Sequence, residues 1–399
     1  MEKRIYVDNS ATTPVSEKAL AAMMPYFREN FGNPSAIYRY GQEAKKALED
    51  SRRMAATAIG ALNNELYFTS GGSESDNWAI HSIGETKKSK GNHIISSAIE
   101  HNAVLRTLEK LQKQGYEVTL LNPDKYGQIT AEQLKKAIRD DTIFISIMMA
   151  NNVVGTVLPI KELCTVAHEH GIVFHTDAVQ AVAHLPIKVH ELGVDLLSMS
   201  AHKFHGPKGV GALYVKLQCK LPPYLTGGGQ EKGYRSGTEN IPGIVGMASA
   251  IGEATEDMPE KIKKITANRD KLIENILKIP GAYLTGDPVN RLPGLASFVF
   301  DGIKESVFLV NNLNEAGICA SSGSACSASS KEASHVLTAL GYDDKIARSA
   351  LRISLSEYNT EEEIDVIINK MPAIIEELRL GERHSNSSTR NLGNDLFIV

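Results

Sequence analysis

The sequence is short of cysteine: four in 399 residues, at positions 164, 219, 319 and 326, with no pair spaced as CxxC. That argues against a structural zinc site. So few thiols in so long a chain suit a reducing, cytoplasmic setting. Neither sign of charge dominates, since 43 Lys+Arg stand against 47 Asp+Glu for a formal net charge of −4. Charge therefore gives no reason to expect direct nucleic-acid binding or an anionic membrane as partner. No apolar run approaches the roughly 18 residues needed to cross a bilayer. The segment Met1 to Asp8 enters a strand-like pattern at once, without a signal peptide's apolar region or an Arg/Ser-rich transit stretch. What is present, 42% apolar and 23% charged residues, is globular composition. A chain of this length can bury a large core unaided.

Between about residues 60 and 215, short apolar runs alternate with amphipathic stretches. The runs are 66–69, 93–96, 117–121, 142–147, 171–175, 196–199 and 210–215. They are apolar on both faces, as in a buried, mostly parallel sheet covered by helices. The intervening segments, such as 131–139 and 161–170, read as crossover helices, giving α/β layering. After about residue 255 the pattern becomes α+β: helices at 261–277, 306–316, 334–340 and 360–380, with strands at 296–300 and 351–355. A large α/β domain is expected over 15–257, and a smaller α+β domain over 1–14 plus 258–380. The stretch 381–399, rich in Ser, Asn, Arg and Gly without period, is expected to be a disordered tail.

Several stretches carry candidate chemistry. In Ser198-Met199-Ser200-Ala201-His202-Lys203, a lysine follows a buried strand, where desolvation can leave its amine nucleophilic. Taken alone, Lys203 is also compatible with a surface loop. Asp177 ends an apolar strand, where parallel sheets bind ligands; its other reading is a helix N-cap. Thr69-Ser70-Gly71-Gly72-Ser73-Glu74-Ser75-Asp76 joins a strand to a helix and suits an anion. It is neither a Walker motif nor GxGxxG, and Ser73 with Asp76 also fits a capping box. His101 follows a strand and could stack on a planar group or shuttle protons. Cys326 sits in a Ser/Gly/Ala stretch without bulky neighbours and reads as accessible. Cys164 and Cys319 read as core, and Cys219 as a bystander.

In chain order, GGSESDN, EHNAV, NNVVG, HTDAVQ, SAHKFHGPKG, RSGTEN and SSGSACS resemble the NifS/IscS-type cysteine desulfurases of the class V pyridoxal-phosphate family, from Tyr6 to about Leu380. The frequent NNEIG reads NNVVG here, with the Asn pair kept. The resemblance implies the aspartate aminotransferase-like fold type I, with a mostly parallel seven-stranded sheet. It implies pyridoxal 5'-phosphate joined to Lys203 as a Schiff base, Asp177 on the pyridine nitrogen, His101 stacked on the ring and Gln180 on the phenolic oxygen. Gly72, Ser73, Ser200 and His202 would hold the phosphate, with Thr238 reaching the phosphate of a homodimer partner. Asn152 would touch cofactor and substrate, and Arg352 would grip the substrate carboxylate. Catalysis would rest on Lys203, His101 and the nucleophile Cys326. L-cysteine would become L-alanine, its sulfur passing through a Cys326 persulfide to an iron–sulfur scaffold protein or a tRNA-thiolation relay. Cys326 could then act as a transient iron–sulfur ligand. The alternatives on the same scaffold are a selenocysteine lyase or a class V aminotransferase; Cys326 favours desulfuration, because transamination needs no such thiol.

Overall fold

A computed structural model describes residues 4–322 and 333–391, with side chains through residue 381 in the last helix. Twelve strands occur among the described residues: β1 Ile5–Tyr6, β2 Leu66–Thr69, β3 His93–Ser97, β4 Glu117–Leu121, β5 Thr142–Ser146, β6 Val173–Asp177, β7 Leu196–Ser200, β8 Gly211–Val215, β9 Ala282–Leu284, β10 Leu295–Phe300, β11 Ile318–Cys319 and β12 Leu351–Ser354. They belong to two compact units. One takes residues up to Ala11, Val153–Gly155 and the chain from Lys263 onwards; the other takes Thr12–Asn152 and Thr156–Ile262.

The second unit holds a seven-stranded sheet in the order β2-β8-β7-β6-β5-β3-β4. All seven apolar runs became these strands. β8 is antiparallel to both neighbours, and every other pairing is parallel. β3, β5, β7 and β8 are buried along their whole length, which is why they read as continuous apolar runs rather than alternating ones. The edge strand β4 is mostly open. Helix Gly72–Lys87 lays Trp78, Ile80 and Ile83 on a core with Ile94, Phe144 and Leu213. Trp78 donates its indole N–H to the carbonyl of Pro222 at 3.0 Å, satisfying the polar atom of a fully buried ring.

The first unit has a three-stranded sheet, β12-β10-β9, and the two-stranded pair β1-β11. Val7, Leu272, Phe298, Phe300, Ile353 and Ile364 share its core. Helix Met258–Ile276 crosses the division between the units at Ile262/Lys263. The last helix, Glu361–Asn391, continues past Leu380 through residues expected to be aperiodic tail. Extending an existing helix costs no new nucleus, so polar residues of modest propensity can follow the amphipathic stretch. Residues 392–399 lie outside the described chain. Cys164 is buried, while Cys319 is half-buried rather than core. Among the described residues no helix is long and apolar enough to cross a membrane.

Candidate functional site

Strands β2, β3, β5, β6 and β7 run in one direction. The segments leaving their carboxyl ends carry, in turn, Gly72 and Ser73; His101; Asn152; Asp177 and Gln180; and Ser200, His202 and Lys203. Topology alone thus lines these residues along one edge of the sheet, where open α/β sheets bind ligands.

One end of this row is built from backbone. Gly71, at φ 153°, precedes helix Gly72–Lys87 and caps it with no side-chain hydrogen bond, which overturns the capping-box reading of Ser73 and Asp76. A Cβ on Gly72 would come within 2.5 Å of Val179 Cγ2; one on Gly211 would meet Met199 O at 2.5 Å and Gly71 Cα at 2.7 Å. Glycine is required for that approach. Ser73 is exposed and Ser200 buried beside this turn. Glu74 folds back over the start of the helix. It accepts from Ser70 N–H at 2.8 Å and from Arg235 Nε and Nη2 at 2.8 and 3.1 Å. Burial raises its pKa, but Arg235 and Ser70 outweigh that and leave it lowered. The carboxylate's charge is therefore spent on Arg235. The loop that carries Arg235 leaves Thr238 exposed.

Lys203 closes a short 3-10 turn, Ala201–Lys203, directly after β7 and is half-buried. Thr13 pins this turn: its hydroxyl donates to His202 O at 3.1 Å and accepts from His205 N–H at 2.8 Å. His205 needs that grip because it sits at φ 63°, uncommon for a side-chain-bearing residue. His184 Nε2 donates to Lys203 O at 2.9 Å. His202 lies 3.1 Å from Thr12 Oγ1 through Nδ1. Burial, and then the charges of Lys203 and Lys208, push its pKa down to about 4, so it is neutral at pH 7.

Asp177 is buried at the end of β6. Its Oδ1 accepts from Val179 N–H at 2.9 Å, closing a turn, so the helix-cap reading does not hold. Burial raises its pKa, and His101, the Val179 N–H and Lys203 offset that only in part, leaving it raised. Those opposing effects report that His101 and Lys203 converge electrostatically on this carboxyl. His101 Nδ1 accepts from Ala103 N–H at 3.1 Å and caps helix Asn102–Gln112, which fixes its ring and leaves Nε2 to carry the proton. Gln180, the residue after Val179, is buried, and Asn152 is half-buried after β5.

Two predicted residues remain. Arg352, on β12 in the other unit, is 1% exposed and gives Nη2 to Asp8 Oδ1 at 2.8 Å. Cys326 lies outside the described residues. Among the described residues no group of three His, Cys, Asp or Glu could hold a metal ion. Sequence reasoning missed Asp8, Thr13 and a buried set around Asp76, His175 and Glu100. Thr13 and Asp8 stood near the start of the stretch that carries the resemblance, which begins at Tyr6, but nothing in the sequence said what they would bind.

These residues fit pyridoxal phosphate. A glycine-lined helix entry with hydroxyls takes a phosphate, an amine at a strand end takes an aldehyde, and a buried carboxyl takes a cationic ring nitrogen.

Residues 5–367 match the family model described as aminotransferase class-V. A cysteine desulfurase IscS of Methanosarcina thermophila is 52% identical over 378 residues, 94% of this chain and 93% of that protein. One from Clostridium botulinum (strain Hall) is 48% identical over 382 residues, covering 95% and 96%. A solved NifS-like protein superposes with a TM-score of 0.88 at 38% identity, covering 94% of this chain and all of the other.

Proposed function

Because the chain belongs to the class-V aminotransferase family, we propose that it is a pyridoxal-phosphate-dependent cysteine desulfurase, converting L-cysteine to L-alanine and holding the sulfur as a persulfide. The observation that carries this reading is the row of Gly72, His101, buried Asp177 and Lys203 along the carboxyl edge of the sheet. The relatives named cysteine desulfurase support the choice of substrate.

When bound, pyridoxal phosphate supplies an electron sink that makes the substrate's bonds at Cα and Cβ reactive. The protein's residues do the rest. The helix entry at Gly72, with Ser73, Ser200 and His202, binds the phosphate, and neutral His202 accepts or donates there without adding charge. Asp177 holds a proton on the ring nitrogen by its own negative charge. His101 stacks beside the ring, and Gln180 reaches its phenolic oxygen. The Lys203 amine would hold the aldehyde, and as a free amine it can move a proton between the substrate's Cα and its own Nζ. Asn152 and Arg352 orient the substrate carboxylate, the planar guanidinium matching it as a fork. The Cys326 thiolate then attacks the substrate sulfur: an S–S bond forms, the Cβ–S bond breaks, and its electron pair takes a proton to give the methyl group of alanine.

The assembly is a homodimer in this reading. Leu20, Met24, Phe27, Phe31, Ile37 and Tyr38 leave large apolar surface exposed near the amino-terminal helices, more than a monomer ordinarily shows in one stretch. Thr238 reaches the partner's phosphate. The persulfide passes to an iron–sulfur scaffold protein or a sulfur relay, Cys326 acting as a transient cluster ligand in the first case. The setting is the cytoplasm.

Alanine released from L-cysteine with a thiol reductant, measured for wild type and Cys326→Ser side by side, tests the reading. Alanine from the wild type and none from the variant is expected. Equal amounts from both would remove Cys326 as nucleophile and favour a lyase acting without it.

A further inference from the structure

Close to Asp177 lies a second buried acid that the proposed chemistry leaves unused. Asp76, the fifth residue of helix Gly72–Lys87, is 1% exposed, and its Oδ1 makes no hydrogen bond. His175 Nε2 stands 3.7 Å from Oδ1, beyond hydrogen-bond reach. His175 is itself engaged with Ser146 Oγ through Nδ1 at 2.8 Å and with Ser198 Oγ through Nε2 at 3.0 Å. Burial pushes its pKa down to about 3, so it brings no charge to Asp76.

The charged groups that act on Asp76 are acids. They are Asp177 at the end of β6 and Glu100 in the segment after β3. Glu100 is tied to Ser97 and to Met148 N–H, and burial raises its pKa to about 8, so it too is neutral at pH 7. On the other side of the set, His101 and Lys203 act on Asp177 and work against the effect of its burial. Two neighbouring carboxyls in a dry site do not both ionise. An ionised Oδ1 with no donor would be the costlier choice.

We propose that Asp76 is a positioning residue for Asp177: it keeps the one proton that this buried pair retains at neutral pH, so that Asp177 is the member left ionised toward the cofactor. The inference rests on the reading that Asp177 meets the ring nitrogen. Asp76 touches no reacting atom; it acts through Asp177.

An isosteric amide tests this. Infrared difference spectra of the holoenzyme at neutral pH, wild type minus Asp76→Asn, are expected to show the carbonyl band of a protonated carboxylic acid, lost in the variant. The pH titration of the bound cofactor's absorbance and the cofactor's affinity are expected to be unchanged, because one neutral group replaces another. Without cofactor, the melting-temperature advantage of Asp76→Asn over wild type is expected to widen as pH rises above the ordinary aspartate range. An acid kept neutral in the fold but ionised in the unfolded chain loses stability as pH rises, and an amide does not. No carboxylic-acid difference band, or a shifted absorbance titration in Asp76→Asn, would overturn the assignment. Asp177→Asn separates the two failures. Weakened cofactor binding with the Asp76 band still present supports the proposal, whereas unchanged binding overturns the reading of Asp177 and the proposal with it.

Discussion

The two ends of the site solve opposite electrostatic problems with different materials. Around Gly72 and Gly211 the protein uses bare backbone, packed so closely that a Cβ would collide. Around Asp177 it uses side chains so deeply buried that ionisation itself is costly. The first end gains from dipoles that carry no net charge and need no proton bookkeeping. The second keeps acids, and must settle which of them carries charge. Backbone suits a phosphate whose charge is permanent; a tunable carboxyl suits a nitrogen that must stay protonated.

Breaking the second end should have the larger effect. Asp177→Ala is expected to cut turnover by about 10²–10³-fold, the usual magnitude when a preorganised charge is removed from a reacting centre. The cofactor should still be retained through the phosphate end. Steady-state rates measured with saturating cofactor check this, and undiminished turnover would mean the two ends are not different in kind. Next comes Gly211→Ala, whose methyl has only backbone to push against. A loss of about 1–3 kcal/mol in stability is expected from such overpacking, read as a lower melting temperature together with weaker cofactor binding. Ser73→Ala should be the mildest, at about 0.5–1.5 kcal/mol for one exposed hydroxyl beside several N–H groups. Equilibrium binding of the cofactor reads it, and a loss as large as that of Asp177→Ala would show the phosphate end to depend on side chains after all.

The same contrast explains what could be read from the residues. Strands β3, β5, β6 and β7 announced themselves because burial on both faces leaves an apolar run no loop would carry. Gly72, Lys203 and Asp177 were visible because each stands just after such a run. Asp76 was not. At that position an acid in a first-turn segment looks like a cap, and only packing on the sheet shows that its carboxyl is buried. Glu100 and His175 were hidden for the same reason: a polar residue beside a strand declares nothing about its partners, which come from β5 and β7, far along the chain. The helix beyond residue 380 escaped notice because its residues lack an apolar period, and only its attachment to an amphipathic helix extends it.

The pairing of β1 with β11, Ile5 against Ile318 and Tyr6 against Cys319, has a consequence in time. At a synthesis rate of about 5–20 residues per second, the first strand waits roughly 15–60 seconds before its partner is made. Asp8 waits longer still for Arg352. The seven-stranded sheet, complete once Val215 has emerged, can assemble during that interval, so the sheet edge that carries Lys203 exists before the unit that carries Arg352 can close its own core.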